Sequence, residues 1–482
     1  MTDAPAATRR VAIDPLTRVE GHGKITLRLG ADGKVVQARL HIVEFRGFER
    51  FIEGRPYWEV PVMVQRLCGI CPVSHHLAAS KALDAVLGAT PTPTATAVRR
   101  LMHYGQILQS HALHFFHLAS PDLLFGFDSD AARRNLQGVA AEHPELARRG
   151  VLLRRFGQEI IRITAGKRVH GTGSLPGGVN KAVTPAERAE LKAGLPDVLA
   201  WARQGLAVVK RLHRDEWDLY ESFGAAPSGL LSLVGRDGRL ELYDGVLRAR
   251  SAAGDVLLDG VDPRQYRTHV AEEVKPWSYM KFPYLVALGP ERGTYKVGPL
   301  ARLQNCDFIH TPLAEAERAE FRAAHHGELT HAPLAYHWAR LVELLHAAEV
   351  IAELLDAPEL LDGELLARGE RTGEGVGVIE APRGTLIHHY RVGADDLVTA
   401  CNLIVSTTHN NQAMNDAVAA VARQYLDGVE PTEPLLNHLE VAIRAFDPCL
   451  SCATHALGKM PLEVVVEDAA GRELGRARKR GG

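Results

Sequence analysis

Between residues 11 and 45, apolar and polar positions alternate. Lys24-Ile-Thr-Leu-Arg-Leu and Val35-Val-Gln-Ala-Arg-Leu-His-Ile-Val lie on either side of Ala31-Asp-Gly-Lys34. A two-residue period around Asp-Gly predicts a β-hairpin. From Val60 the period lengthens, and Val62, Val64, Leu67 and the run Leu77 to Leu87 give faces at helical spacing. Pro91-Thr-Pro-Thr interrupts this run; a long helix is predicted from Ala95 to Ala119, ended by Ser120-Pro121-Asp122. Residues 130–166 read as helical, and Gly171-Thr-Gly-Ser-Leu-Pro-Gly-Gly178 as a rigid loop. Helix is predicted again over Pro185–Arg214 and strongly over Ala314–Leu355, and helices fill 411–445. Residues 228–300 are mixed, with Leu240-Glu-Leu-Tyr243 strand-like; Glu380-Ala-Pro-Arg-Gly384 reads as a turn leading into a strand at Thr385–Arg391. The pattern is mainly α with small β-sheets (α+β): a β-hairpin region at about 11–45 and a helical core over about 60–455.

Composition changes this picture little. A chain of 482 residues has a length prior of roughly three domains. No repeat or low-complexity linker divides it, so it reads as one intertwined domain. Its 46% hydrophobic and 24% charged residues are those of an ordinary globular protein. A net charge of −2 gives no bulk attraction for nucleic acid or an anionic membrane. No apolar run of about 18 residues predicts a membrane span. Arg9-Arg10 lacks the apolar stretch of a signal peptide and reads as an exposed pair.

The candidate chemistry lies at the two ends. Arg66-Leu-Cys68-Gly-Ile-Cys71-Pro-Val-Ser-His75 and Asp447-Pro-Cys449-Leu-Ser-Cys452-Ala-Thr-His455 each place two thiols three residues apart, with a histidine close behind. Such a pair reaches one metal with both sulfurs. The other two cysteines, Cys306 and Cys401, are isolated and read as small buried hydrophobes. Six cysteines are too sparse for a disulfide scaffold, so a reducing compartment with metal or redox use of the pairs fits better. Spacing alone leaves several readings open: structural zinc on four thiolates, a separate site at each pair, a redox dithiol, and an iron–sulfur cluster.

The flanking residues add a resemblance. With both cysteine motifs, Asp14-Pro-Leu-Thr-Arg-Val-Glu20-Gly-His22, Phe45-Arg-Gly-Phe-Glu49, His170 to Gly178 and Glu380-Ala-Pro-Arg383-Gly384 stand in order along nearly the whole chain. Together they resemble the large, catalytic subunit of nickel–iron hydrogenases, most closely the soluble bidirectional NAD-linked type. Ser110 stands where membrane-bound relatives usually carry aspartate. The resemblance implies that family's large-subunit fold and reversible heterolytic cleavage of H2 to protons and electrons.

It also implies a set of roles. Cys68 and Cys449 are expected as terminal nickel ligands, and Cys71 and Cys452 as bridges to an iron carrying carbon monoxide and two cyanides. Cys449 is expected to accept the proton, with Arg383 as a charged lid, because a guanidinium gives up its proton with difficulty. Glu20 is expected to pass protons outward, with an ion pair to Arg18 as its bland alternative. His75 would hydrogen-bond a bridging sulfur, and Pro382 and Asp447 would complete the pocket around Arg383. Glu49, His455 and the carbonyl near Cys401 (by spacing only) match ligands of a second site for magnesium or iron. His103, His111, His114 and His117 read as polar core or interface residues rather than ligands.

Partners follow from the same resemblance. They are a small subunit with an iron–sulfur cluster, flavin-containing diaphorase subunits, and a maturation protease that removes residues 456–482 after His455. No glycine-rich dinucleotide fingerprint stands between a strand and a helix, so NAD is not expected on this chain, and with only Cys306 and Cys401 outside the pairs neither is an iron–sulfur cluster. The expected location is cytoplasmic. The alternatives are a soluble hydrogenase with another acceptor, a non-catalytic relative, and a structural-zinc protein.

Overall fold

The computed structural model describes residues 9–43, 47–361 and 363–454, and the backbone of strands Leu462–Glu467 and Glu473–Lys479. Phe45, Arg46, His455 and most of the segment beyond lie outside the described residues.

Four long helices form the centre. Pro93–Leu113 packs on Pro144–Ala165 and on Ala335–Asp356, while Pro185–Asp215 packs on both of the latter. The Ala335–Asp356 helix is buried on every face from Ala335 to Ile351, with Arg340, Glu343 and Glu349 among its buried side chains. Pro93–Leu113 and Pro144–Ala165 meet at glycines: a Cβ on Gly157 would lie 2.5 Å from the Gly105 carbonyl oxygen.

Small sheets surround this bundle. At the amino terminus, Arg9–Ile13, Gly23–Leu29 and Val35–Ile42 form a three-stranded antiparallel sheet, the expected hairpin with one strand added. A second antiparallel sheet, Glu374–Ala381, Gly384–Val392 and Val398–Ile404, lies on helix Pro72–Val86. Ala381 pairs with Gly384, so Pro382 and Arg383 are the whole of a two-residue hairpin loop. The Glu380–Gly384 turn is thus a strand-to-strand tip.

Several expected boundaries move. The helix expected to stop at Ser120 ends at Leu113, loosens into a π-turn over His114–Ala119 and resumes as Ser120–Phe125. Pro121 sits in its first turn, where its missing N–H leaves no bond unmade. The helix predicted over Ala314–Leu355 is two, Pro312–Ala324 and Ala335–Asp356; His326 and Gly327, at φ 54° and 80°, turn the chain between them. Leu240–Tyr243 is not a strand, because the Glu241 carboxylate takes the Tyr243 and Asp244 amides that a ladder would need.

The two chain ends are joined by non-local bonds. The Thr17 amide donates to Glu440 Oε1 at 2.7 Å, and Arg444 donates to the Thr17 carbonyl. The Leu450 amide donates to the Glu20 carbonyl at 2.9 Å. Arg18 pairs with Asp122 at 2.5 Å rather than with Glu20, which leaves the Glu20 carboxylate for the second cysteine pair.

Candidate metal centre

The first pair sits where two short elements meet. Cys68 follows the 3₁₀ turn Val64–Leu67, and Cys71 caps the amino terminus of Pro72–Val86. Cys68 Sγ accepts the Ile70 and Cys71 amides at 3.2 and 3.1 Å, which folds the loop around the sulfur. Two glutamines of the Pro93–Leu113 helix hold the loop from behind: Gln106 and Gln109 both donate to the Ile70 carbonyl. The second pair is carried by the turn after Asp447, a residue at φ 54°. The Cys449 amide donates to Thr407 Oγ1 at 2.9 Å, and the Cys452 thiol faces the Leu67 carbonyl.

All four sulfurs are buried and lie within 4.8 Å of one another. Cys68 and Cys449 are 3.2 Å apart across the two pairs. Within the second pair, Cys449 and Cys452 lie close enough for a disulfide, yet Cys449 Sγ is also placed to donate to Glu20 Oε2 at 3.0 Å. The two descriptions exclude each other. The thiol description agrees better with four sulfurs converging on one point, since a structural disulfide needs neither Cys68 nor a carboxylate beside it. Glu20 is held by Ser451, whose amide donates to Oε2 at 3.2 Å and whose hydroxyl donates to Oε1.

Electrostatics divide the first pair. Burial raises the Cys68 thiol, but the Cys71 thiol and the Arg383 charge together bring it below its ordinary value. Cys71 is pushed well above by its hydrogen bond to Cys68 and by burial. Arg383 projects from its hairpin tip over the sulfurs, donating from Nε to the Asp447 carbonyl at 2.5 Å and from Nη2 to Asp447 Oδ1 at 3.0 Å. Burial opposes its charge, yet Asp447, Cys71, Cys68 and Glu20 together hold the guanidinium more firmly protonated than usual. Arg383 Nη1 and Asp447 Oδ2 are buried without a partner among the described residues. Beside them is a small cavity of about 10 Å³, room for roughly one water-sized molecule, lined by Cys71, His75, Pro382, Arg383, Thr407 and Cys449 among others.

The remaining predicted residues fall as follows. His75 Nδ1 lies 3.1 Å from His388 Nε2 on the neighbouring sheet, and its side chain lines the cavity beside Cys71. Glu49 is buried in the short helix Phe48–Ile52 and accepts the Leu403 amide at 2.8 Å, on the strand that carries Cys401. His455 is outside the described residues, so that second group is seen only in part. Cys306 is buried, its thiol pushed up to about 12 by burial, as a small apolar residue behaves. His111 bonds Glu343, and His114 stacks on His337 and bonds the Arg444 carbonyl. Burial holds His103 down to about 3 and His111 to about 4, as befits neutral core histidines. Among the described residues, one further set of potential ligands gathers, His213, Glu221 and His325. There both imidazoles meet the same Glu221 oxygen at 2.7 and 3.0 Å.

Sequence reasoning missed Gln106, Gln109, Thr407 and Ser451. The two glutamines were detectable as polar positions three apart on a helix otherwise destined for the core. Thr407 and Ser451 carried no signal of their own.

Comparison with known proteins agrees with this geometry. A family profile described as nickel-dependent hydrogenase matches residues 46–129 and 253–455, and one described as HoxL-like matches residues 10–45. The chain belongs to the nickel-dependent hydrogenases, as a nickel–iron large subunit. It is 47% identical to the NAD-reducing hydrogenase HoxS subunit beta of Cupriavidus necator, over 96% of this chain and 98% of that one. It is 40% identical to an F420-non-reducing hydrogenase (vhc) subunit of Methanococcus voltae, over 96% and 99%. Among solved structures, an NAD+-reducing NiFe-hydrogenase in the H2-reduced state superposes with a TM-score of 0.92 at 60% identity, covering 94% of this chain and all of that one. The Ni-Fe-Se hydrogenase of D. vulgaris Hildenborough shares the fold, with a TM-score of 0.76 at 24% identity over 93% of this chain and all of that one. No helix among the described residues is long and apolar enough to cross a membrane.

Proposed function

We propose that this chain cleaves H2 heterolytically and reversibly at a nickel–iron centre held by Cys68, Cys71, Cys449 and Cys452, and delivers the electrons through a small iron–sulfur subunit to NAD+. The observation that carries the reading is the convergence of four buried sulfurs from opposite chain ends beside a cavity roofed by Arg383. The donor set fits the group. Thiolates are soft ligands able to bridge two metals, and the unpartnered Arg383 Nη1 offers a donor toward diatomic ligands on iron, carbon monoxide and two cyanides in this reading. When bound, the centre supplies an open metal position at which H2 is polarised. Both sulfurs of the second pair then serve as thiolates.

The chain's own residues manage the proton. Cys449 Sγ accepts it and passes it to Glu20 Oε2, 3.0 Å away. Ser451 fixes both Glu20 oxygens, so the acceptor is aimed before the transfer. Arg383, held charged, acts as lid rather than base. Asp447 and Pro382 frame it, and His75, beside Cys71, would tune that sulfur once the metals are bound. Glu49, the carbonyl near Cys401 and His455 take a magnesium or iron ion, and a protease removes residues 456–482. Flavin-containing subunits complete the path to NAD+ in the cytoplasm.

One experiment separates this reading from its rivals. Metal analysis of the purified complex is expected to give nickel, and iron beyond that of the clusters, near one each per chain, with infrared bands of carbon monoxide and cyanide. Zinc alone would reject the catalytic reading. Hydrogen-dependent reduction of NAD+ tests the acceptor, and reduction of a different acceptor only would remove that part.

A further inference from the structure

The Arg383 hairpin tip is two residues long, so its direction passes straight from the backbone on either side of it. Its aim depends on what holds Ala381 and Pro382 from outside. A single side chain does so. Arg302, on helix Pro299–Asn305, is fully buried and donates from Nη1 to the Ala381 carbonyl at 2.9 Å and from Nη2 to the Pro382 carbonyl at 3.2 Å. Its other donors meet Glu343 in a bidentate pair, Nε to Oε1 at 2.6 Å and Nη2 to Oε2 at 2.7 Å, and Glu380 Oε2 at 2.8 Å from Nη1. A guanidinium has five N–H groups, and here every one has an acceptor.

The acceptors belong to three different elements. Glu343 stands on the central helix Ala335–Asp356 and is further bonded by His111 at 3.0 Å. Glu380 closes the foot of the hairpin: its Oε1 accepts the Leu233 amide at 2.8 Å and the Thr385 hydroxyl at 2.7 Å. Gly298, which begins the Arg302 helix, touches the Arg383 backbone; a Cβ there would lie 2.8 Å from the Arg383 carbonyl oxygen. One carboxylate would balance its charge but satisfy only two of its five N–H groups. Two of these five donors instead go to the carbonyls of the two residues just before Arg383.

We propose that Arg302, locked on Glu343, is a positioning residue that sets the hairpin tip and thereby aims the Arg383 guanidinium over the four sulfurs. This rests on the reading of Arg383 as the lid of the site. Asp447 fixes the head of the Arg383 side chain, and Arg302 fixes the backbone from which it springs. Lysine cannot substitute, because an ammonium has three donors and no plane with which to span two carboxylates and two carbonyls.

The test is a double-mutant cycle in the purified complex, using Arg302→Lys, Arg383→Lys and the double variant. Nickel per chain, kcat, KM for H2 and the infrared bands of the diatomic ligands are measured together. Arg302→Lys is expected to keep its nickel and its KM, lose about tenfold or more in kcat, and shift the bands as Arg383→Lys does. The double variant is expected to fall no further than Arg383→Lys alone, because both changes act through one group. Wild-type kcat in Arg302→Lys, or losses that multiply in the double variant, would overturn the positioning role. If Arg302→Lys fails to assemble, Glu343→Gln and Thr385→Val take its place in the cycle. Each loosens the hub by one group, with an expected loss of about twofold to fivefold and the same failure to multiply. Wild-type kcat in both would overturn the proposal equally. The underlying reading fails in a different way: Arg383→Lys itself would then keep normal kcat and unshifted bands.

Discussion

At the scale of single residues, the site works by holding acceptors ready. Glu20 receives Cys449 and Ser451 on its two oxygens, so it is oriented without being tied up in an ion pair. Glu20→Gln keeps the shape and the hydrogen-bond capacity but cannot carry a proton. It is expected to leave nickel content unchanged and to lower H2 oxidation by about 100-fold, within the usual range for a lost acid–base group; normal turnover in this variant would remove Glu20 from the proton path. Lys296 shows the opposite case, a charge with no such role. It is buried, its one described bond is to the His331 carbonyl at 3.3 Å, and burial pushes its ammonium down to about 7 from 10.5. Between those values the folded chain binds fewer protons than the unfolded one, so stability rises with pH across that window. The penalty is complete below pH 7. Lys296→Met is therefore expected to raise the thermal midpoint, by the equivalent of about 3–5 kcal/mol at most near pH 7. The gain should shrink as pH rises toward 10, and thermal scans at pH 6.5 and 9 check it; an equal gain at both would show that packing, not charge, is responsible.

At the scale of elements, the cysteine helix Pro72–Val86 depends on strand Glu374–Ala381 beneath it. That strand carries glycine where the two backbones nearly touch: a Cβ on Gly377 would stand 2.2 Å from the Ala78 carbonyl oxygen, and one on Gly375 2.0 Å from that of Ala82. Gly377→Ala must push the helix off the sheet, and Cys71 and His75 move with its first turn. Overpacking of this kind costs about 1–3 kcal/mol. Gly293→Ala is crowded too, 2.5 Å from the Leu285 carbonyl oxygen, but lies in the turn after Gly289–Arg292, away from the sulfurs. Both variants should lower the melting midpoint, whereas only Gly377→Ala should also lower nickel per folded chain. Full nickel in Gly377→Ala would mean that the helix tolerates the shift. The same elements mark how far the sequence could be read. The helices were legible because their period is local, and the cysteine, Glu20 and Arg383 motifs because they are contiguous. The break at His114 was not, since a π-turn keeps the chain helical, whereas the one at His326 carried turn signals in Gly327 and Pro333 that the helical pattern on either side masked. Arg302 was hidden for a related reason: a lone arginine in Pro299–Asn305 gains meaning only when Glu343 and Glu380, far along the chain, come to meet it.

For the whole molecule, the decisive fact is that residues 68 and 449 share one site. Thr17 to Glu20 runs between them and is held by Glu440, Arg444 and the Leu450 amide, so the amino-terminal segment and the one that carries Cys449 close on each other. The chain is buried as far as Thr454, with the Ala453 carbonyl bonded by Thr408 at 3.2 Å. Beyond it, Leu462–Glu467 and Glu473–Lys479 pair with each other as an antiparallel hairpin, and the family match stops at His455. In the proposed reading, a segment that follows the buried Cys452–Thr454 turn yet forms its own hairpin suits removal once the metals are loaded, leaving His455 as the carboxy terminus. Mass spectrometry of active enzyme is therefore expected to show a chain ending at His455, and a variant stopped there by a premature codon tests the order of events. If nickel loading depends on the tail, the truncated chain should accumulate with little nickel. Active enzyme that retains residues 456–482, or a truncated chain that loads nickel normally, would remove the tail from the loading sequence.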